Sequence, residues 1–264
     1  MKNSWKRIDP IGLILPVLLL SGWHVASESG AIPPYLLPSP KSVFKVMADF
    51  ASGIAKLTPY SGKLLENLTA SLLRVITGFG IALFFGVLMG FLTGRIGIVK
   101  RIIDPLVHAI RIVPGISWLP IAMIWFGIGE LTTIFLISLA AFFPIYINTA
   151  YGASEVPCLL IRAARMLGAN KTELFKTVIL PSAFPSVVVG ARLGLGVSWA
   201  YLVLGELTGV SEGLGAVMMD SRMLGQIEMI IVSMVCIATM GVLTDRLLLR
   251  ICRSILPYQG GERK

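Results

Sequence analysis

Charge is scarce in this chain: 14% of its 264 residues are Asp, Glu, Lys or Arg, while 55% are apolar and mean hydropathy is +0.83. So few polar groups cannot clothe a water-soluble globule, and the composition reads as an all-α polytopic membrane protein. Cysteine and histidine are nearly missing. Cys158, Cys236 and Cys252 show no Cys-x-x-Cys spacing and the histidines are His24 and His108, which argues against a disulfide framework and a metal site and leaves each cysteine as a small apolar filler. No Gly-x-x-x-x-Gly-Lys-Ser/Thr run occurs, so the chain cannot cradle ATP by that device, and no catalytic or cofactor-binding residue is expected. Paired carboxylates deep in a span are also lacking. Asp104, Glu130, Glu206, Glu228 and Asp245 all fall near the ends of expected spans, which weighs against a proton-coupled secondary transporter. The net charge of +9 would suit nucleic acid, but the basic residues flank apolar runs, where cytoplasmic orientation and anionic lipid account for them.

What is present is a series of long apolar runs. Residues 11–26 follow a basic amino terminus; Pro16 and Trp23 interrupt the run and His24-Val25-Ala26 makes a poor cleavage site, so it reads as an uncleaved first span. Residues 27–63 form the longest non-spanning stretch, with proline-rich 33–40 followed by an amphipathic helix around 42–50, expected on the outer face. The second span, within 64–94, carries Gly78, Ala82, Gly86, Gly90 and Gly94 at fourfold spacing, a stripe that lets another helix approach. Residues 103–127 are a third span kinked at Pro114-Gly115, and 131–151 a fourth that contains Pro144 and Asn148. Residues 184–206 are a fifth and 226–249 a sixth, joined by a Gly-rich outer loop over 209–225. Lys and Arg outside the spans divide about three to one between the two sides, which sets six spans with both termini inside.

Between the fourth and fifth spans lies a polar island, 156–185, whose basic residues must face water. Pro157 suits a first helical position, and Leu159, Leu160, Ala163, Ala164 and Leu167 recur at helical spacing. Gly168 stops that helix. Asn170 or Thr172 can cap a second one, which runs through Leu174, Phe175 and Val178 and is expected to end where Pro181 denies the preceding residue helical geometry.

Ala163-Ala164, Gly168 four residues after Ala164, then Val178, Leu180 and Pro181 resemble the cytoplasmic EAA loop of ATP-binding-cassette importer permeases. The spacing matches without a gap; Arg162 stands where that pattern has Glu, and Val178 where it has Ile. Further fragments resemble the nitrate, sulfonate and taurine group in order along the chain: Tyr35 to Pro40, Ser71 to Arg74, Trp125 to Glu130, Phe142 to Ile145, and Asn148-Thr149.

The resemblance implies a six-helix, MetI-like permease fold of the type I importers, one transmembrane domain over 1–264 with its core at about 64–250 and a coupling loop at 152–182. It implies a multi-pass protein of the cell inner membrane, paired with a second permease copy. Two copies of an ATPase subunit, which carry the ATP and Mg, would bind the cytoplasmic face, and an external solute-binding protein would deliver a small anion. Arg162, Ala163, Ala164, Arg165, Leu167, Gly168, Ala169, Val178, Leu180 and Pro181 would form the coupling surface, with Gly168 admitting the partner's backbone closely. On the fifth span Gly190, Gly194, Ser198, Tyr201, Gly205 and Thr208 make one small or polar face, either a pathway wall or a packing seam. Arg111 and Arg192 either assist an anion or pair structurally. A pathway of apolar and small residues holds no readable code for the substrate, so vitamin precursors and aromatic acids stay open beside small anions. A self-contained channel or secondary transporter and a non-transporting scaffold are the other classes.

Overall fold

A computed structural model describes residues 10–30, 32, 33 and 35–255, with side chains described from residue 14 onward. Among them every regular element is helical: α1 (Pro10–Glu28), α2 (Pro40–Ser52), α3 (Leu64–Arg95), α4 (Gly97–Ile112), α5 (Leu119–Phe126), α6 (Glu130–Ser154), α7 (Cys158–Met166), α8 (Lys171–Leu174), α9 (Leu180–Glu206), α10 (Leu214–Met223) and α11 (Ile227–Ile255). A 3-10 turn, Gly115–Trp118, precedes α5, and a π-helical turn, Phe175–Ile179, joins α8 to α9. Four helical stretches, Leu64–Arg95, Glu130–Ser154, Lys171–Glu206 and Ile227–Ile255, are long and apolar enough to cross a membrane. The basic residues expected at the extreme termini, Lys2, Lys6, Arg7, Arg263 and Lys264, lie outside the described residues.

The chain divides into two compact units. One comprises Met1–Leu68 with Val217–Cys236. Within it Ser39 caps α2 through the Ser42 N–H and Gly53 closes the helix at φ 68°. The buried Asp49 carboxylate accepts hydrogen bonds from the Ser61 hydroxyl and from the N–H groups of Ala55 and Leu57. The Ser61 bond, aided by those amides and opposed by burial, holds this carboxyl below the usual carboxylate range. Burial, with the hydrogen bond Tyr60 donates to Asp220, pushes the Tyr60 phenol up to about 12.

The other unit, Thr69–Ala216 with Ile237–Lys264, is built around α6. The small-residue stripe of α3 lies against it: a Cβ on Gly78 would meet Ile137, one on Gly86 would sit 2.8 Å from Ile145, and one on Gly90 would meet Thr149. On the other side Gly190 and Gly194 of α9 receive Asn148 and Ile145, and Gly205 receives Thr133. Ile145 therefore fills a notch in each neighbour. Without bulk water between helices, association in a bilayer rests on such close contact, so the glycines set the spacing of three helices at once.

Two expected boundaries move. Pro181 does not end the helix that begins after the turn: α8, the π turn and α9 run on as one span from Lys171 to Glu206. The π turn explains it, because the Leu180 N–H bonds to Phe175 five residues back and widens the coil just where the proline ring needs room. Nor is the expected third span a kinked rod. α4 and the Gly115–Phe126 segment meet at 93°, a broken span or a re-entrant loop, because Pro114 leaves the helical region at ψ 130°.

Candidate functional site

The segment from Val156 to Pro181 has an anchored side and a free side. Val156, Ile161, Leu174 and Ile179 are buried with Phe91, Ala153, Ala183 and Val187 in one apolar cluster, onto which Ala164, Val178 and Leu180 also pack. Phe175 meets Phe91 edge to face at 5.3 Å. The opposite side of α7 is open. Leu159, Met166 and Leu167 are 77%, 90% and 88% exposed, and Arg162, Ala163, Arg165 and Gly168 are exposed beside them. Of the residues expected to couple, Ala164, Val178 and Leu180 thus hold the segment to the helices, while the arginines, Ala163, Leu167 and Gly168 face outward; Ala169 and Pro181 are half-buried.

The elbow follows from two local signals. Gly168 takes φ 85°, its N–H bonding to Arg165 and that of Ala169 to Ala164, which closes α7 in a Schellman turn. Asn170 then begins α8 as a reciprocal capping box with Glu173, at 2.9 Å in both directions. The work of Gly168 within this chain is the left-handed turn, since nothing lies within 4 Å of where its Cβ would be. Leu159 and Met166 are further members of the open face that the EAA spacing does not mark; apolar residues on a basic, non-spanning helix are the signal for them.

A second feature is a groove along α6. One cavity of about 310 Å³ is lined by Arg111, Trp118 and Tyr201 with an otherwise apolar wall from Val113, Leu139, Phe143, Ile147 and Val197. A smaller one, about 180 Å³, is lined by Lys100, Asp104 and His108 of α4 and by Tyr146 and Tyr151 of α6. Ile147 belongs to both walls. Lys100, Asp104, His108 and Arg111 recur at intervals of four, four and three, one face of α4. The Tyr146 hydroxyl donates to Asp104. Of the pathway candidates, Arg111 and Tyr201 line the larger cavity. Gly194 and Ser198 are buried against α6, the Ser198 hydroxyl donating to Gly194 at 2.8 Å. Arg192 makes a two-pronged bond to Asp245 of α11 at 2.8 and 2.9 Å. Asp245 sits well inside α11 rather than at its end.

At the far end of α9 the structure assembles a cluster that the sequence did not reveal. Glu206, fully buried, accepts from the Ser71 hydroxyl at 2.7 Å, Arg74 Nη1 at 2.8 Å and the Gly215 N–H at 2.8 Å. Arg74 also donates to Glu130 at 2.9 Å and to the Glu212 carbonyl at 2.6 Å, and the Leu214 N–H donates to Ser71. The cluster ties α3, α6, α9, the loop before α10 and the first residues of α10 together. Its legible trace was the Ser71 to Arg74 and Trp125 to Glu130 fragments, whose charges converge here.

Residues 82–255 match the family model described as "Binding-protein-dependent transport system inner membrane component". The chain is 35% identical to the taurine transport system permease protein TauC of Escherichia coli (strain K12), over 98% of this chain and 94% of that one. It is 33% identical to the aliphatic sulfonates transport permease protein SsuC of Bacillus subtilis (strain 168), over 94% and 87%. It is 31% identical to the bicarbonate transport system permease protein CmpB of Synechococcus elongatus, over 97% and 93%. Among solved structures, an inward-facing form of the MetNI methionine ABC transporter superposes with a TM-score of 0.57 at 26% identity, over 72% of this chain and 93% of that one.

Proposed function

The chain belongs to the binding-protein-dependent transport system inner membrane components, and from that premise we propose how it works and what it carries. It is a permease subunit of an ATP-driven importer and not an enzyme; ATP hydrolysis falls to a separate subunit. In our reading the functional unit is a homodimer in the cell inner membrane. Two ATPases holding ATP and Mg sit on its cytoplasmic face, and a solute-binding protein outside delivers a small anion of the sulfonate, taurine or nitrate class. Six spans result when α1 and the broken α4–α5 pair are added to the four long ones, with both termini in the cytoplasm and the chain forming one transmembrane domain.

The observation that carries this reading is the free side of α7. Leucine and methionine at 77–90% exposure on a basic segment belong neither to lipid nor to water. A groove on an ATPase fits them, since an amphipathic helix docks through such anchors. The anchored side then passes the motion on: the Gly168 elbow joins α7 to α8, which is continuous with α9, so movement of the ATPases displaces a whole span. The test is uptake of a labelled sulfonate into proteoliposomes that hold the chain, its ATPase and its binding protein. Uptake is expected only with all three and ATP; uptake by the chain alone would overturn the importer reading.

A further inference from the structure

The cavity beside Arg111 carries an inference about substrate class, which rests on the importer reading. Arg111 is exposed in the last turn of α4, at the rim of the larger cavity. Arg111 forms no ion pair or hydrogen bond among the described residues, whereas Arg74 and Arg192 both do. The indole N–H of Trp118 is buried without a partner. Tyr201 adds a hydroxyl, so three donors meet at one cavity. No carboxylate lines it, and the rest of its wall is aliphatic or aromatic.

Donors without acceptors bind a group rich in acceptor oxygens, and a fixed cation makes that group an anion. The apolar wall gains only by burying apolar surface, which nitrate and bicarbonate do not have. About 310 Å³ is the size of a site for an organic molecule. An ammonium group would lose its water here with no acid to replace it, which disfavours a zwitterion such as taurine. We propose that this cavity is a station for an organic monoanion with an apolar body and no cationic group, a short alkanesulfonate being the type, with Arg111 its charge partner. Ile147 also lines the smaller cavity, where Lys100 stands with Asp104 and His108, so the acid there sets that cavity apart from the acid-free one beside Arg111.

The experiment uses the complete importer in proteoliposomes with labelled butanesulfonate. Arg111→Gln is expected to lower uptake about tenfold or more while ATP hydrolysis stimulated by the binding protein stays within about twofold, and Arg111→Lys is expected to keep a substantial part of uptake. Uptake by Arg111→Gln within about twofold of the unaltered importer would overturn the proposal. So would loss of both activities in Arg111→Gln with neither regained in Arg111→Lys, which assigns Arg111 to structure. A second measurement removes selection by the binding protein. With the three native cysteines changed to serine, butanesulfonate is expected to slow thiol modification of Ala140→Cys about threefold or more, and equal nitrate or taurine to leave it unchanged. Equal protection by all three would overturn the class assignment. No ATP-dependent uptake by the unaltered importer would instead sink the importer reading and the station with it.

Discussion

The two ends of the span from Lys171 to Glu206 are built on opposite plans. At the Glu206 end the buried charges are paired: a fully buried carboxylate takes three hydrogen bonds, and Arg74 joins it to Glu130 and a loop carbonyl. At the Lys171 end the arginines of α7 are exposed and large apolar side chains stand in the open. Only Arg74 Nε in this buried network lacks a partner among the described residues, and such a network resists displacement, because moving one member strands the others in low dielectric. An exposed helix with unspent apolar surface is made to bind. Under our proposal the first end is the fixed point and the second the handle.

Breaking the fixed end has the largest expected effect. Glu206→Ala leaves Arg74 buried beside Glu130 alone and is expected to cost about 3–5 kcal/mol, read as a lower thermal midpoint of the purified chain in detergent. The pair Arg74→Met with Glu206→Leu is expected to lose less than Glu206→Ala, because no charge is stranded. A double variant no better than the single one would mean that the cluster acts through packing. Breaking the handle acts differently. Leu159→Asp with Met166→Asp is expected to leave the thermal midpoint unchanged and to weaken ATPase association by about tenfold or more, since both side chains touch mostly solvent in this chain. A lowered midpoint would show that this face is buried.

The elbow sharpens the contrast at smaller scale. Gly168→Ala is expected to cost about 1–2 kcal/mol in the left-handed turn and to lower uptake per ATP hydrolysed, with Gly168→Asn closer to normal because asparagine tolerates that conformation. Equal behaviour of Ala, Asn and Gly would return the residue to close approach of a partner rather than to the turn. The smallest effect belongs to the middle of the span. Arg192 and Asp245 are partly exposed, so Arg192→Ala is expected to shift stability by no more than about 1 kcal/mol. A loss as large as that of Glu206→Ala would show that the mid-span pair is as buried in the assembled importer as the cluster is.

How much of this could be read beforehand depends on the range of the interaction. The α7 turn is local: Gly168 and the Asn170–Glu173 box lie next to the residues they cap, and the sequence shows them. The α3 stripe announced a close neighbour without naming it; α6 supplied Ile137, Ile145 and Thr149. Continuity past Pro181 was hidden because a π turn absorbs the ring, and no residue pattern marks that turn. The break at Pro114 was visible as a kink, but proline and glycine in sequence do not say whether the chain bends slightly or, as here, by 93°. Glu206 and Arg74 are 132 positions apart, so although the Ser71 to Arg74 and Trp125 to Glu130 fragments stood out, nothing local paired them with Glu206. The same holds for the cavity: Arg111 and Tyr201 were both singled out, yet only the fold brings them to one wall and seats Gly194 and Ser198 in a seam.

The central claim is that α7 is the handle by which an ATPase moves this permease. It is tested most directly by isolating the intact chain and the Leu159→Asp, Met166→Asp, Leu167→Asp variant from solubilised membranes and identifying what co-purifies with each. The account predicts an ATPase with the intact chain and none with the variant, both chains melting alike. An ATPase held equally by the two, or by neither, would contradict it.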